Sequence, residues 1–140
     1  MPDSIKELGY EAFYNCYNLK NIKLPKKLKR IYNNCFSNCS SLISIDIPEG
    51  VNEIGNKCFE NCYSLKLITI PSNINKINQF VLNNCINLRY IIIFNRNEIV
   101  NIDYIRNYQK DNLHVYVPDN LYDDYLNYYG NINKKSIKFF

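Results

Sequence analysis

Pro25-Lys-Lys-Leu28-Lys-Arg-Ile31-Tyr-Asn-Asn-Cys35-Phe36-Ser-Asn38-Cys39-Ser-Ser-Leu42-Ile-Ser-Ile45-Asp-Ile47 decides the fold, because 23 residues later the chain repeats the pattern. Pro2, Pro25, Pro48 and Pro71 keep that interval, and so do Cys16, Cys39, Cys62 and Cys85, each preceded by Asn. The apolar positions follow in columns, among them Phe13/Phe36/Phe59/Leu82, Leu19/Leu42/Leu65/Leu88 and Ile22/Ile45/Ile68/Ile91. Four units thus fill residues 2–93 without insertion or deletion. A unit this short cannot bury its own apolar stripe, so it is stable only when stacked on copies of itself. The chain is a solenoid.

Within a unit, residues 19–24, 42–47, 65–70 and 88–93 are short and rich in β-branched side chains, and all but the last stop at proline. They read as strands. The interval between them leaves room for the crossover that parallel pairing needs. The stretch around Phe13, Asn15 and Cys16, with its copies, reads as a helical turn with Phe as the space-filler. The Asn column reads as structural, its amide satisfying backbone groups of a buried turn.

These residues carry a resemblance. Pro25-x-x-Leu28-x-x-Ile31-x-x-x-Cys35-Phe36-x-Asn38-Cys39-x-x-Leu42-x-x-Ile45-x-Ile47-Pro48 resembles the BspA-like leucine-rich repeat, and the likeness runs unit by unit through residue 93. The commoner leucine-rich repeat would want Asn at positions 27, 50 and 73, where Lys27, Gly50 and Asn73 stand and only the last complies, so its horseshoe curvature is not assumed. The fold class expected is α/β: a leucine-rich-repeat solenoid with stacked short parallel strands, helical turns and a C-terminal capping helix.

After Ile93 the interval slips. Phe94 stands where a fifth proline was due, and Leu113-His-Val115-Tyr-Val117-Pro118 restores a strand, offset by one inserted residue. The expected organisation is a solenoid over 1–117, its fifth unit degenerate, and a capping segment over 118–140. Asp119 or Asn120 caps a helix over 121–129 that Gly130 stops, with Leu121, Tyr122, Tyr125, Leu126 and Tyr129 on one face. Residues 136–140 add an extended piece. At the other end Met1 occupies a strand position before Pro2, so the chain opens inside a repeat. Either more repeats precede it or its first unit frays, and end-to-end association through an uncapped N-terminal rung stays open.

Chemistry is sparse. Cys35/Cys39 and Cys58/Cys62 have the count of a four-thiolate zinc site, but Ala12 and Val81 fill the Cys35/Cys58 column in the other units. That substitution pattern marks a small apolar position, and six free buried thiols are expected, with no metal and no cofactor. His114, the one histidine, reads as a solvated strand residue. No phosphate loop or histidine metal motif is present in the sequence, so no catalytic residue is expected. The longest apolar run, 90–94, is too short to cross a bilayer. The first residues lack the basic and apolar regions of an export signal.

A partner would meet the outward strand positions. These form the rows Lys20/Ile43/Lys66/Arg89, Asn21/Ser44/Leu67/Tyr90 and Lys23/Asp46/Thr69/Ile92. Ile43, Leu67, Tyr90 and Ile92, with Lys66 and Arg89 at the margin, suit a protein-binding patch. The alternative is that the C-terminal segment folds over them. Lys26, Lys27, Lys29 and Arg30 form a second, basic candidate for a polyanion, although the equivalent Glu49, Gly50, Asn52 and Glu53 carry no such charge. A specific nucleic-acid site is not expected. The family resemblance implies a non-catalytic module for adhesion and recognition of a host or partner protein at the cell surface or in secreted form. The alternative is a cytoplasmic scaffold or regulatory interaction protein.

Overall fold

The computed structural model describes residues 1–74, 77–78, 80–101, 113–128 and 137–140. Two parallel sheets form the walls of a solenoid. One sheet holds β1 (Glu7–Leu8), β2 (Arg30–Ile31) and β4 (Glu53–Ile54) in that order. The other holds β3 (Ser44–Asp46), β5 (Leu67–Ile70), β6 (Tyr90–Ile93), β7 (His114–Val117) and β8 (Ile137–Phe139). Register follows the sequence interval: Glu7 faces Arg30 and Arg30 faces Glu53, while Ser44 faces Leu67 and Leu67 faces Tyr90. At β7 the register shifts by the inserted residue, and Tyr90 faces His114.

The strand expected over 19–24 does not form. That segment runs as irregular chain, beside which the Ile43 N–H donates to the Lys20 carbonyl at 3.0 Å. Asn21 and Lys23, two poor strand formers, occupy its outward positions.

The expected helical turn resolves into successive single turns. Asn34 to Ser37 and Phe36 to Cys39 are each closed by a bond from the later N–H to the earlier carbonyl, at 3.0 and 3.1 Å. Helix cannot propagate because each unit holds two left-handed residues. Asn15, Asn38, Asn61 and Asn84 have φ of 61°, 63°, 60° and 59°, and Glu11, Asn34, Lys57 and Phe80 have 58°, 56°, 55° and 63°. Asn tolerates this region, which explains the first column. The second column shares no residue type, so its conformation left no mark in the sequence.

These turns also bond between rungs. The N–H groups of Phe13, Phe36 and Phe59 donate to the carbonyls of Cys35, Cys58 and Val81 on the next rung at 2.8–2.9 Å. On the five-stranded side the direction reverses, with Lys66 and Arg89 N–H donating to the preceding rung at Ile43 and Lys66. Backbone polar groups in the narrow interior are thereby satisfied.

The repeated columns are the core: Ile31/Ile54/Ile77, Phe36/Phe59/Leu82, Leu42/Leu65/Leu88 and Ile45/Ile68/Ile91 are all buried. Phe13, Phe36 and Phe59 stack nearly parallel, with centroids 5.1 and 5.5 Å apart. Five of the six cysteines are buried and Cys16, on the first rung, is half-buried, short of the full burial expected. The Sγ atoms of Cys39, Cys62 and Cys85 donate to the carbonyls of Phe13, Phe36 and Phe59 at 3.1–3.2 Å.

Where proline gives way to Phe94, Asn95 takes over the corner. It is buried, its Nδ2 donates to the Ile74 carbonyl at 3.2 Å, and its Oδ1 accepts from the N–H groups of Asn97 and Glu98. A 3-10 turn, Asp119–Leu121, leads into α1 (Tyr122–Tyr128). No side chain caps that turn; Pro118 precedes it, and the Asp119 carboxylate accepts instead from the neighbouring Asn120 N–H at 2.8 Å. Tyr125 is fully buried, and its hydroxyl accepts from the Val100 N–H at 2.8 Å. Leu121 is buried and Tyr122 and Leu126 are half-buried, as the sequence pattern required; Tyr129 and Gly130 lie outside the described residues.

Candidate functional site

Alternation along the strands sets the site. In β5, β6 and β7 every second residue is buried, which leaves Leu67, Thr69, Tyr90, Ile92, His114 and Tyr116 on the outward face. Ile43 and Tyr90 are 40% and 42% exposed, Lys66 is exposed, and Leu67, Ile92 and Arg89 are half-buried. Register brings the candidates into rows: Leu67 beside Tyr90, and Thr69 beside Ile92.

The C-terminal strands extend this face laterally. β7 lies beside β6, so Tyr90 faces His114 and Ile92 faces Tyr116, and β8 places Lys138 beside Tyr116. The Tyr90 ring stacks on His114 with centroids 5.9 Å apart and sits tilted to Tyr116 at 6.5 Å. Sequence reading missed His114, Tyr116 and Lys138 as members of the face. The signal was available: one inserted residue carries the Tyr90 and Ile92 columns onto His114 and Tyr116. His114 is half-buried rather than solvated, and among the described residues its Nδ1 has no hydrogen-bond partner.

The face is predominantly basic at its margins. Lys20, Lys23, Lys66 and Lys138 are exposed, and the carboxylate on these rows, Asp46, accepts from the Thr69 hydroxyl at 2.7 Å. A cavity of about 470 Å³ lies at its N-terminal corner, lined by Lys23, Lys26, Asp46 and Glu49 among others.

The second candidate cluster sits at and beside the three-stranded sheet. Lys26, Lys27, Lys29 and Arg30 are all exposed. Arg30 is flanked by the carboxylates of Glu7 at 3.9 Å and Glu53 at 3.4 Å, and a hydrogen bond with Tyr32 is the chief cause that pushes its guanidinium pKa still higher. Its charge is answered within its own sheet.

The five buried cysteines are poor reagents. Burial pushes Cys39 up to about 11 and Cys35 and Cys85 up to about 12, and lifts Cys58 and Cys62 well above the ordinary thiol range. A protonated thiol is a weak nucleophile and a weak metal ligand. Among the described residues no group of three or more His, Cys, Asp or Glu side chains could hold a metal ion. No helix among them is long and apolar enough to cross a membrane.

Comparison with known proteins agrees with this geometry. The pattern described as BspA type leucine rich repeat region, in six copies, matches residues 1–111. No curated protein matches the chain. A leucine-rich repeat protein of T. pallidum is 31% identical, covering 65% of this chain and 42% of its own, with a TM-score of 0.63. A leucine rich cell surface protein of Faecalibacterium prausnitzii is 33% identical, covering 79% and 28%, with a TM-score of 0.65. The pneumococcal vaccine antigen PcpA, 23% identical over 96% of this chain and 33% of its own, shares the fold with a TM-score of 0.75. The chain therefore spans less than half the length of each of these structures.

Proposed function

The chain belongs to the BspA-type leucine-rich repeat family, and from that premise we propose a non-catalytic protein-binding module whose contact surface is the outward face of the five-stranded sheet. The observation that carries this reading is the exposure of Tyr90 within a packed aromatic cluster on rigid, hydrogen-bonded strands. Exposed apolar groups held in place this way give up little conformational entropy when they meet a partner. Residues 1–117 supply the repeat scaffold and residues 118–140 close it, with β8 also adding to the contact face. The description of the F. prausnitzii relative as a cell surface protein supports placement at the cell surface, with recognition of a host or neighbouring-cell protein as the role.

The test is selection of peptides from a random display library on the immobilised chain. Peptides that engage the face bind the double variant Leu67→Asp/Tyr90→Ala at least about tenfold more weakly while its thermal midpoint stays near that of the parent. Ile43→Asp/Tyr90→Ala, which changes two exposed positions, serves if the first variant loses its fold. Selected peptides that bind a folded double variant undiminished overturn the reading.

A further inference from the structure

We propose that the partner surface is an acidic protein segment that seats an aromatic or aliphatic side chain against the Tyr90–His114–Tyr116 cluster. This rests on the reading of the sheet face given above and assigns its partner a chemistry.

Lys20, Lys66 and Arg89 follow one margin of the face, because each occupies the first outward position of its unit. Lys23 and Lys138 belong to the row on the other margin, whose carboxylate, Asp46, is already hydrogen-bonded to Thr69. Between the margins runs the apolar and aromatic strip Leu67, Tyr90 and His114, and the second margin carries Ile92 and Tyr116 between its two lysines. A segment lying along this strip meets Lys66 and Arg89 on one side, Ile92 and Tyr116 with Lys138 beyond them on the other, and an aromatic surface in the middle. Carboxylates flanking one large apolar side chain match both features together. A partner with like charge at these margins is repelled, so the pattern gives selectivity as well as attraction.

A plain polyanion answers only half of the arrangement. Heparin-like chains or nucleic acid need a dense run of cations and have no use for an unpaired apolar strip at its centre. The denser run is elsewhere, at Lys26, Lys27, Lys29 and Arg30, where Glu7 and Glu53 already flank the arginine. The sheet strands stack at about 4.8 Å, so an extended segment of about six residues spans the five strands.

The library selection tests the charge assignment separately from the face itself. The expected result is enrichment of Asp and Glu around a Tyr, Phe or Leu. One such peptide, synthesised with a fluorescent label, then binds the full chain in the micromolar range. Its affinity falls at least about tenfold with Lys66→Glu/Lys138→Glu and by a similar factor with Tyr90→Ala. It also weakens as salt is raised through the range in which the Debye length shrinks below about 10 Å. Peptides that are lost in the Tyr90 variants yet prove neutral or basic overturn the acidic partner and leave the face standing. Oligoglutamate or a heparin fragment binding as tightly as the selected peptide overturns it in favour of a simple polyanion. Selected peptides indifferent to Tyr90, or no enrichment at all, count against both the partner and the face.

Discussion

The side-chain amide of Asn61 donates to the Asn38 Oδ1 at 2.7 Å, one rung away, and the same bond joins Asn38 to Asn15 and Asn84 to Asn61. The four amides form a continuous ladder along the stack. The sequence suggested that this column would serve the backbone; instead each amide serves the next amide. At the same time each of these residues holds a positive φ. Asn61 therefore has two duties, and substitution separates them. Asn61→Gly keeps the left-handed turn but loses two ladder bonds, and is expected to cost about 1–2 kcal/mol. Asn61→Ala loses both and is expected to cost about 1 kcal/mol more, from the left-handed penalty on a residue with a Cβ. Urea unfolding of the two variants checks the order; equal stabilities would mean that the ladder, not the turn, is the whole of the effect.

Two glycines make a sharper contrast. A Cβ on Gly55 would overlap the backbone nitrogen and side-chain oxygen of Asn33, whose Oδ1 accepts from the Asn56 N–H at 2.8 Å. Nothing lies within 4 Å of a Cβ on Gly9, which holds the equivalent position two units earlier. Gly55→Ala should destabilise by about 1–3 kcal/mol through overpacking. Gly9→Ala should leave stability unchanged or raise it by up to about 1 kcal/mol by restricting the unfolded chain. Thermal or urea midpoints measured side by side decide the matter, and a Gly55→Ala protein as stable as the parent would refute the close approach.

The buried thiols make the fold sensitive to alkali. In the unfolded chain they ionise near 9.0, whereas burial holds Cys39 neutral to about 11 and Cys35 and Cys85 to about 12. Below pH 9 both states keep the proton and the full stability is present. Between the unfolded and folded values the unfolded chain sheds protons that the folded chain retains, so stability falls as pH rises, by up to about 1.4 kcal/mol per pH unit for each fully buried thiol. Tyr125, raised from 10.0 to about 12 by burial, adds to the decline above pH 10. Urea midpoints should hold steady from pH 7 to 8 and drop between 9 and 11. Cys35→Ala/Cys58→Ala, which imports the residue that Ala12 already places in that column, should make the drop shallower. A slope unchanged by the double substitution would contradict the assignment.

Much of the candidate site could be read from the chain, and the omissions have physical causes. Tyr90 and Ile43 stand exposed where alternation put them. His114, Tyr116 and Lys138 escaped because their place on the face depends on which strand β7 and β8 join, and strand partnership is a matter of long-range pairing. The offset of one residue before His114 was visible, but only pairing with Tyr90 shows which columns it continues. The sequence left open whether the patch is exposed for a partner or buried under the C-terminal segment. Among the described residues β8 pairs with β7 at the sheet edge rather than lying over Leu67, Tyr90 and Ile92.

The sequence by itself determined the rung, its length and its buried columns, because a 23-residue interval held over four units leaves stacking as the one way to bury so many aliphatic side chains. It also marked one of the two left-handed positions, since Asn is among the few residues that accept that backbone region cheaply. The tertiary structure alone decided the second left-handed position, the amide-to-amide ladder, the failure of the first strand and the lateral growth of the outward face. Each of these depends on what the neighbouring rung offers across the stack, and a contact between side chains 23 or 24 residues apart is specified by register rather than by any residue's own preference.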